Sequence, residues 1–341
     1  MNRDGRPAGI KEVAKYANVS VGTVSNVLNS PHKVSEATIL RVQYAIEVLG
    51  YVRNNNASSL ATGTSEGIGL VVIDFANSFF VDIARGAQKG AIAAGLNLLV
   101  ANSDNDNDQQ NAHLEHFDGA RARGILFAPK PELDGSLDTA RLRRQPTVLL
   151  NLDTEPRDQC SVLVDNEHVG YLAARHMIEL GRTRIAFVAG RESLQPVQLR
   201  RKGVRRAVAE ASGISLEEID IRDLNSLGGT DAGREVSERN RSDRPDAIIA
   251  VTDLVGMSII QVLTAASISV PGEIAVMGCD YNTSAWGGSV PLTTVKLRGF
   301  DMGLEAMRLL VDEISTSPEE HEHKTVVLEP SLLVRESTAG R

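Results

Sequence analysis

"ANVSVGTVSNVLNS" occupies residues 17–30 and decides the fold of the amino-terminal part of the chain. Its small polar and β-branched residues give it weak intrinsic helix propensity. Ser20 can nevertheless cap a short helix through its hydroxyl, and Asn18 tolerates the left-handed backbone of a tight turn. Val24 and Val27 then recur at helical spacing and face inward. The stretch therefore predicts a tight turn followed by a short helix with a small, polar outer face.

Two segments with stronger helical patterns flank this helix. "IKEVAKYA" (10–17) and "SEATILRVQYAIEVLG" (35–50) each place apolar residues on one face. Helix, tight turn, helix and a bracing third helix form a helix-turn-helix, whose second helix enters the major groove of DNA. A small three-helix interaction module is the alternative. The residues predicted to contact DNA are Val21, Gly22, Thr23, Ser25, Asn26 and Asn29.

Charge is distributed unevenly along the chain. Residues 1–63 carry a net charge of +3, whereas the whole chain carries −8, so the remainder carries −11. A basic head on an acidic body favours nucleic-acid binding by the head alone. Cys160 and Cys279 are too few and too far apart for a disulfide framework. No signal peptide and no apolar run of membrane-spanning length is present, which predicts a cytoplasmic protein without membrane contact.

The chain after residue 66 alternates between short apolar runs and segments with helical spacing. This alternation predicts parallel sheets with right-handed crossovers, and the number of units predicts two doubly wound α/β lobes. Ligands of such sheets bind at the carboxyl ends of strands, here in a cleft between the lobes. The predicted strands are 67–73, 96–101, 124–128, 147–151, 184–190, 247–251 and 274–278.

Several motifs together resemble the LacI/GalR family of bacterial transcription regulators. They are "IKEVAKYANVSVGTVSNVLN", "VSEATILRVQYAIEVLGY", "SSLATG", "IGLVVIDFANSFFVDIARG", "HMIELGRTRIAFVAG", "GCD" and "PLTTV", in order over nearly the whole chain. The resemblance implies an N-terminal helix-turn-helix, a hinge that becomes a short helix on DNA, and a core similar to periplasmic sugar-binding proteins. It also implies a homodimer or larger assembly, operator DNA as partner, and a small sugar-like effector.

The resemblance also implies a division of the chain. Residues 1–52 form the DNA-binding domain, 53–65 the hinge, and 66–341 the core. The first lobe is expected at about 66–162 plus 293–323, and the second at about 163–290 plus 325–338. In the linker, Leu60 is the single large apolar residue. It is expected either to insert between base steps in the minor groove or to dock against the core.

The effector site is expected from two kinds of residue: those that match the family's effector-binding residues, and those that follow the carboxyl ends of predicted strands. Arg200 matches the family's effector-binding arginine three residues before a glycine, and Asp280 follows an apolar strand. A guanidinium fork and a carboxylate suit vicinal hydroxyls, although a surface ion pair would use the same residue types. The chain departs from the family pattern at two of the predicted binding positions. Asn26 stands where the family often has an arginine, and Thr252 stands where it often has an asparagine. The expected effector-binding residues are Phe75, Asn77, Phe79, Asp104, Arg200, Thr252 and Asp280.

Enzymatic motifs are missing from the sequence. There is no G-x-S-x-G elbow, Walker loop or dinucleotide fingerprint. "HLEH" (113–116) lacks zinc-protease spacing and an evident third ligand, so no catalytic residue, metal or cofactor is predicted. A transporter's solute-binding protein would need export, and a nuclease would need clustered carboxylates. The sequence thus predicts an effector-controlled repressor, and leaves the effector and the operator unidentified.

Overall fold

The computed structural model describes residues 8–51, 66–129, 145–154, 158–190, 194–282 and 290–339. The chain divides into two compact units, Met1–Ser65 and Glu66–Arg341. The expected hinge (53–65), with Leu60, lies outside the described residues. Among those described, no helix is long and apolar enough to cross a bilayer.

The first unit contains the predicted helix-turn-helix. Asn18 adopts the left-handed conformation, with φ of 52°, and the Ser20 hydroxyl accepts a hydrogen bond from the Thr23 amide at 3.0 Å. Val13 and Val24 are fully buried in one core shared by all three helices. The turn, its cap and the inward face are thus confirmed. The helices are α1 (Ile10–Ala17), α2 (Val21–Asn29) and α3 (Glu36–Leu49), with a 3-10 helix at Pro31–Lys33.

The second unit is built from two β-sheets with helices on both faces. The strands are β1 (Gly67–Val72), β2 (Asn97–Asn102), β3 (Gly124–Phe127), β4 (Thr147–Leu150), β5 (Cys160–Val164), β6 (Arg184–Gly190), β7 (Ser215–Ile221), β8 (Ala247–Ala250), β9 (Ala275–Asp280), β10 (Thr293–Lys296), β11 (Thr325–Leu328) and β12 (Ser331–Leu333). The helices are α4 (Ser78–Ala93), α5 (Asn107–Gly119), α6 (Asn166–Glu179), α7 (Gln195–Ala209), α8 (Ser226–Glu238), α9 (Asp253–Ala265), α10 (Gly299–Ser315) and α11 (Glu336–Ala339), with a 3-10 helix at Arg241–Asp243.

The two sheets share one topology. Within the described ranges, the first runs β11-β5-β4-β3-β1-β2 and the second β12-β10-β9-β8-β6-β7. Pairing is parallel throughout, except that β12 runs antiparallel to β10. We call the first sheet with α4, α5 and α10 the first lobe, and the second sheet with α6 to α9 and α11 the second lobe. Strands such as β4 and β8 are buried along their whole length because helices cover both faces.

Two segments lie in the opposite lobe to the expected one. β10 pairs with β9 in the second lobe, although 293–323 was expected in the first. β11 pairs with β5 in the first lobe, although 325–338 was expected in the second. The chain therefore passes between lobes after β5, between β10 and α10, and between β11 and β12. The expected boundaries came from the family resemblance, whereas long-range pairing at the sheet edges decides to which lobe each strand belongs.

Glycines let helices within each lobe approach closely. In the first lobe, a Cβ added at Gly86 of α4 or Gly303 of α10 would collide with a backbone carbonyl oxygen of the facing helix. In the second lobe, Gly170 of α6 and Gly203 of α7 make the same close approach. Backbone contact at these crossings fixes the helices relative to one another, and with them the side chains they carry.

Candidate functional site

The outer face of α2 presents small polar side chains. The Thr23 hydroxyl lies 2.8 Å from the Ser20 hydroxyl, and the Ser25 hydroxyl accepts a hydrogen bond from Asn29 Nδ2 at 3.2 Å. Asn26 is exposed, and its amide makes no side-chain hydrogen bond among the described residues. An amide with a free donor and a free acceptor matches the major-groove edge of adenine. Val21, Gly22 and Asn29 are also exposed, and Thr23 and Ser25 are half-buried.

A cavity of about 450 Å³ lies between the two lobes of the core. Its walls are formed by the carboxyl ends of strands from both sheets and by the helices that follow them, as the topology requires. This volume suits a small-molecule ligand. The polar lining residues are Asp74, Asn77, Asn105, Asn151, Arg200, Arg222, Asp223, Asn225, Thr252 and Asp280.

Arg200 is held in place by the second lobe. Its Nε donates to Asn166 Oδ1 at 3.0 Å, and its Nη1 donates to the carbonyl oxygens of Val251 at 2.6 Å and Cys279 at 3.0 Å. These partners lie at the start of α6 and at the carboxyl ends of β8 and β9. The side chain is buried, and its Nη2 has no hydrogen-bond partner among the described residues. Nη2 is therefore the donor that Arg200 can offer to a ligand.

Asp280 connects the two lobes. Its Oδ1 accepts a hydrogen bond from the backbone N–H of Asp253 at 3.1 Å, and its Oδ2 accepts one from Asn77 Nδ2 of the first lobe at 2.7 Å. Burial raises the pKa of the Asp280 carboxyl, and Arg200 opposes that shift. Burial also raises the pKa of the Asp253 carboxyl well above its usual value, with a further contribution from the Asp280 charge. The two neighbouring carboxyls make full ionisation of the pair costly.

A second contact across the cleft joins Asp153 and Gln195. The Asp153 N–H donates to Gln195 Oε1 at 2.9 Å, and Gln195 Nε2 donates back to the Asp153 carbonyl oxygen at 3.0 Å. Asp153 follows β4 in the first lobe, and Gln195 begins α7 in the second. Like the Asn77–Asp280 bond, this contact is short and polar. Such bonds can break and reform when lobes close or open around a ligand.

Most of the expected effector residues reach this cavity, but two do not. Phe75 and Asp104 are absent from the lining, whereas Asn77, Phe79, Arg200, Thr252 and Asp280 line it. Phe75 is 41% exposed in the turn after β1. Asp104 has a positive φ of 50° in the turn after β2, and the next residue, Asn105, lines the cavity instead. In both places a turn reverses the chain, so position after a strand alone did not determine which side chain points inward.

Sequence reasoning missed six polar lining residues, which are Asp74, Asn105, Asn151, Arg222, Asp223 and Asn225. Asn105 and Asn151 follow β2 and β4 with positive φ values of 58° and 56°, a left-handed backbone conformation that asparagine tolerates in tight turns. Arg222 and Asp223 follow β7, which was not predicted as a strand. Asn225 caps α8 by accepting a hydrogen bond from the Leu227 amide at 3.0 Å. Their positions did not single out the two asparagines, because Asn105 lies beyond the first residues after β2 and Asn151 belongs to the predicted strand 147–151.

Comparisons with known proteins match both the helix-turn-helix unit and the two-lobed unit. Residues 9–54 match bacterial regulatory proteins of the lacI family, and residues 174–338 match a periplasmic binding protein-like domain. The chain is 30% identical to the HTH-type transcriptional repressor PurR of Aliivibrio fischeri (strain MJ11), over 98% of this chain and 99% of that protein. It is 31% identical to the ribose operon repressor of Escherichia coli (strain K12), over 97% and 99%.

Solved structures extend the match to three dimensions. The complex of the transcriptional regulator CelR with cellobiose is 30% identical, with a TM-score of 0.71 over 97% of this chain and 99% of that one. The lac repressor dimer bound to operator and the anti-inducer ONPF shares the fold, with a TM-score of 0.82 at 22% identity, over 98% and 99%. The chain thus belongs to the lacI family of bacterial regulatory proteins, and it is a DNA-binding transcription regulator rather than an enzyme.

Proposed function

We propose that this chain is a homodimeric repressor whose affinity for operator DNA is controlled by a neutral, polyhydroxylated effector in the inter-lobe cavity. The observation that carries the proposal is the polar contact between Asn77 and Asp280, which joins the lobes beside the Nη2 donor of Arg200. A ligand bound there exchanges hydrogen bonds with groups from both lobes. The family resemblance assigns effector binding to Arg200, and the positions of Asn77 and Asp280 after apolar strands predicted the same role for them.

The charge of the cavity favours a neutral sugar over an anionic one. Arg200 and Arg222 face three carboxylates, those of Asp74, Asp223 and Asp280. Since carboxylates of the lining already match the two guanidinium charges, the cavity offers no net positive charge to an anionic group, whereas hydroxyls can both donate and accept. Among the similar structures, CelR holds cellobiose, and a LacI family regulator from Enterococcus faecium holds ribose. These two sugars are the first candidates for this chain.

At the other end of the chain, α2 would lie in the major groove. Val21, Gly22, Thr23, Ser25, Asn26 and Asn29 would contact bases and phosphates. Leu60 in the hinge (53–65) would insert between base steps in the minor groove. In this proposal residues 1–52 bind DNA and residues 66–341 bind the effector. The hinge (53–65) couples effector binding to DNA binding. The boundary between the two compact units, at Ser65 and Glu66, supports the start of the core. The protein would act in the cytoplasm, where its DNA is.

A homodimer is supported by exposed apolar residues on one side of the first lobe. Ile92 of α4 is 67% exposed, and Leu99 and Val100 of the edge strand β2 are 50% and 40% exposed. Exposed apolar side chains on a helix and on the edge strand that packs against it are typical of an association surface. A dimer would place two recognition helices on mirrored half-sites, which predicts a pseudo-palindromic operator.

The test combines DNA selection with calorimetry. Random DNA fragments retained by the purified full-length chain at low salt should share an inverted repeat. Ribose and cellobiose are then titrated into the protein, free and bound to that DNA. At least one sugar should bind once per chain and change operator affinity by the same factor as operator changes sugar affinity. A single asymmetric half-site, or no binding of either sugar, would contradict the proposal.

A further inference from the structure

Four side chains with metal-ligating atoms meet in the first lobe, far from the cavity. Cys160 begins β5, Glu313 lies in the last turn of α10, and His321 and His323 lie in the segment that joins α10 to β11. Since β5 is parallel to its neighbours, its first residue lies at the amino edge of the sheet, opposite the carboxyl edge that lines the cavity. The cluster is therefore separate from the effector site.

The distances suit coordination of one ion. His321 Nε2 lies 3.4 Å and His323 Nδ1 3.8 Å from Cys160 Sγ, and Glu313 Oε2 lies 3.9 Å from His321 Nε2. One ligand atom from each of the four residues lies within 4.8 Å of all the others. Ligands of a tetrahedral zinc ion, with Zn–S of about 2.3 Å and Zn–N of about 2.0 Å, are separated by about 3.5 Å. A small contraction would bring all four atoms to that spacing.

The surroundings of the cluster also favour a cation. Glu313 Oε2 is buried and has no hydrogen-bond partner among the described residues. The Lys324 N–H donates to Cys160 Sγ at 3.4 Å, and an Asp312 carboxylate oxygen lies 3.9 Å from the other ring nitrogen of His321. Such outer contacts orient the ligands of metal sites.

We propose that Cys160, Glu313, His321 and His323 together bind one Zn²⁺ ion. One thiolate, one carboxylate and two neutral imidazoles balance the charge of a divalent zinc ion, and this mixed S, N and O set is one that zinc accepts. Four protein ligands leave no open position, so the site is structural or regulatory. Binding displaces the thiol proton of Cys160 to solvent as the Zn–S bond forms. The ion then joins the start of β5 to the segment between α10 and β11.

The test uses the full-length chain stripped of metal with a chelator. Zn²⁺ is titrated against a chromophoric chelator, and Co²⁺ is added in a parallel experiment as a spectroscopic probe. We expect one Zn²⁺ per chain with a Kd at or below about 1 µM, together with a thiolate-to-cobalt charge-transfer band. Zn²⁺ should also raise the melting temperature, because it binds the folded chain.

Two variants and two controls decide the assignment. Cys160→Ser and His323→Gln should each weaken Zn²⁺ binding by at least about 100-fold, and Cys160→Ser should abolish the charge-transfer band. His323 is exposed, so its replacement spares the fold even if Cys160→Ser does not. Cys279→Ser and His116→Gln change the same residue types elsewhere and should bind like the parent. Failure of the parent to bind one Zn²⁺, or parental affinity in His323→Gln, would overturn the proposal.

Discussion

Replacing Asp280 with asparagine should separate effector binding from folding. The substitution keeps the shape of the side chain but removes one of its two acceptor oxygens. If the remaining oxygen accepts from the Asp253 N–H, the side chain presents an amide to the cleft, which cannot accept a hydrogen bond from a ligand hydroxyl as the Asp280 Oδ2 atom would. A hydrogen bond to a charged group contributes about 1.5–3 kcal/mol. Effector affinity should therefore fall by about 10- to 150-fold.

The folding stability of this variant should not fall in parallel. Burial raises the pKa of Asp280 despite the nearby Arg200, so the folded environment as a whole disfavours the charged carboxyl. A carboxyl with a raised folded-state pKa contributes stability that is present below its unfolded pKa and is lost as pH rises through the folded value. Asparagine does not ionise, so the Asp280→Asn variant does not lose this folding stability as the pH rises. The variant should melt close to the temperature of the parent near neutral pH, because this gain offsets the lost hydrogen bond from Asn77.

The assay is calorimetric titration with the sugar that binds the parent, together with a thermal melt. Asp231→Asn serves as the matched control, because Asp231 is an exposed carboxylate on α8 outside the cavity. This control should titrate like the parent. If Asp280→Asn binds the sugar within twofold of the parent while remaining folded, Asp280 takes no part in effector binding, and the reasoning is wrong.

Three further outcomes are expected. Asn26→Ala should relax preference at one base position per half-site and cost about 1–3 kcal/mol there, measured by binding to operators with single base changes; an equal loss on every operator would indicate a phosphate contact instead. Gly303→Ala should lower the free energy of unfolding by about 1–3 kcal/mol or more, because its Cβ would meet the backbone of α4, whereas Gly119→Ala has open space around its Cβ and should not show this loss in denaturant titrations. Burial lowers the pKa of His176, so this residue contributes stability that is lost as pH falls below about 6.5. His176→Gln should therefore show a shallower loss of stability with acid, and an unchanged pH profile would contradict that assignment.

The helix-turn-helix was predictable because local signals determine it. The Ser20 cap, the left-handed Asn18 and the inward Val24 lie within one short stretch, and each appears in the structure as expected. Six of the seven predicted strands were likewise apolar runs of the kind that parallel strands buried on both faces require, and the seventh, the edge strand β2, is largely exposed. Elements that are specified by neighbouring apolar and capping residues can therefore be predicted from the sequence alone.

The missed elements depend on distant partners. β7 reads "SLEEIDI", and its acidic residues pair with arginines of other segments, as Glu217 does with Arg239 at 2.8 Å and Glu218 with Arg201 at 2.9 Å. Such a strand shows no apolar run. β10 and β11 were placed in the wrong lobes because their partners, β9 and β5, are fixed by long-range pairing. The cluster around Cys160 was invisible for the same reason, since its histidines lie about 160 residues away along the chain.

The helix α4 connects the effector cavity to the proposed dimer surface. At its first end, Asn77 caps the helix by accepting a hydrogen bond from the Phe79 N–H at 2.9 Å, and the same side chain donates to Asp280 across the cleft. Near its last turn, Ile92 is exposed on the apolar surface. Between these ends, Gly86 holds α4 in backbone contact with α10, so the helix moves as a rigid body with the first lobe. We infer that a ligand exchanging hydrogen bonds with Asn77 changes the angle between the lobes, and that α4 carries this change to the partner subunit.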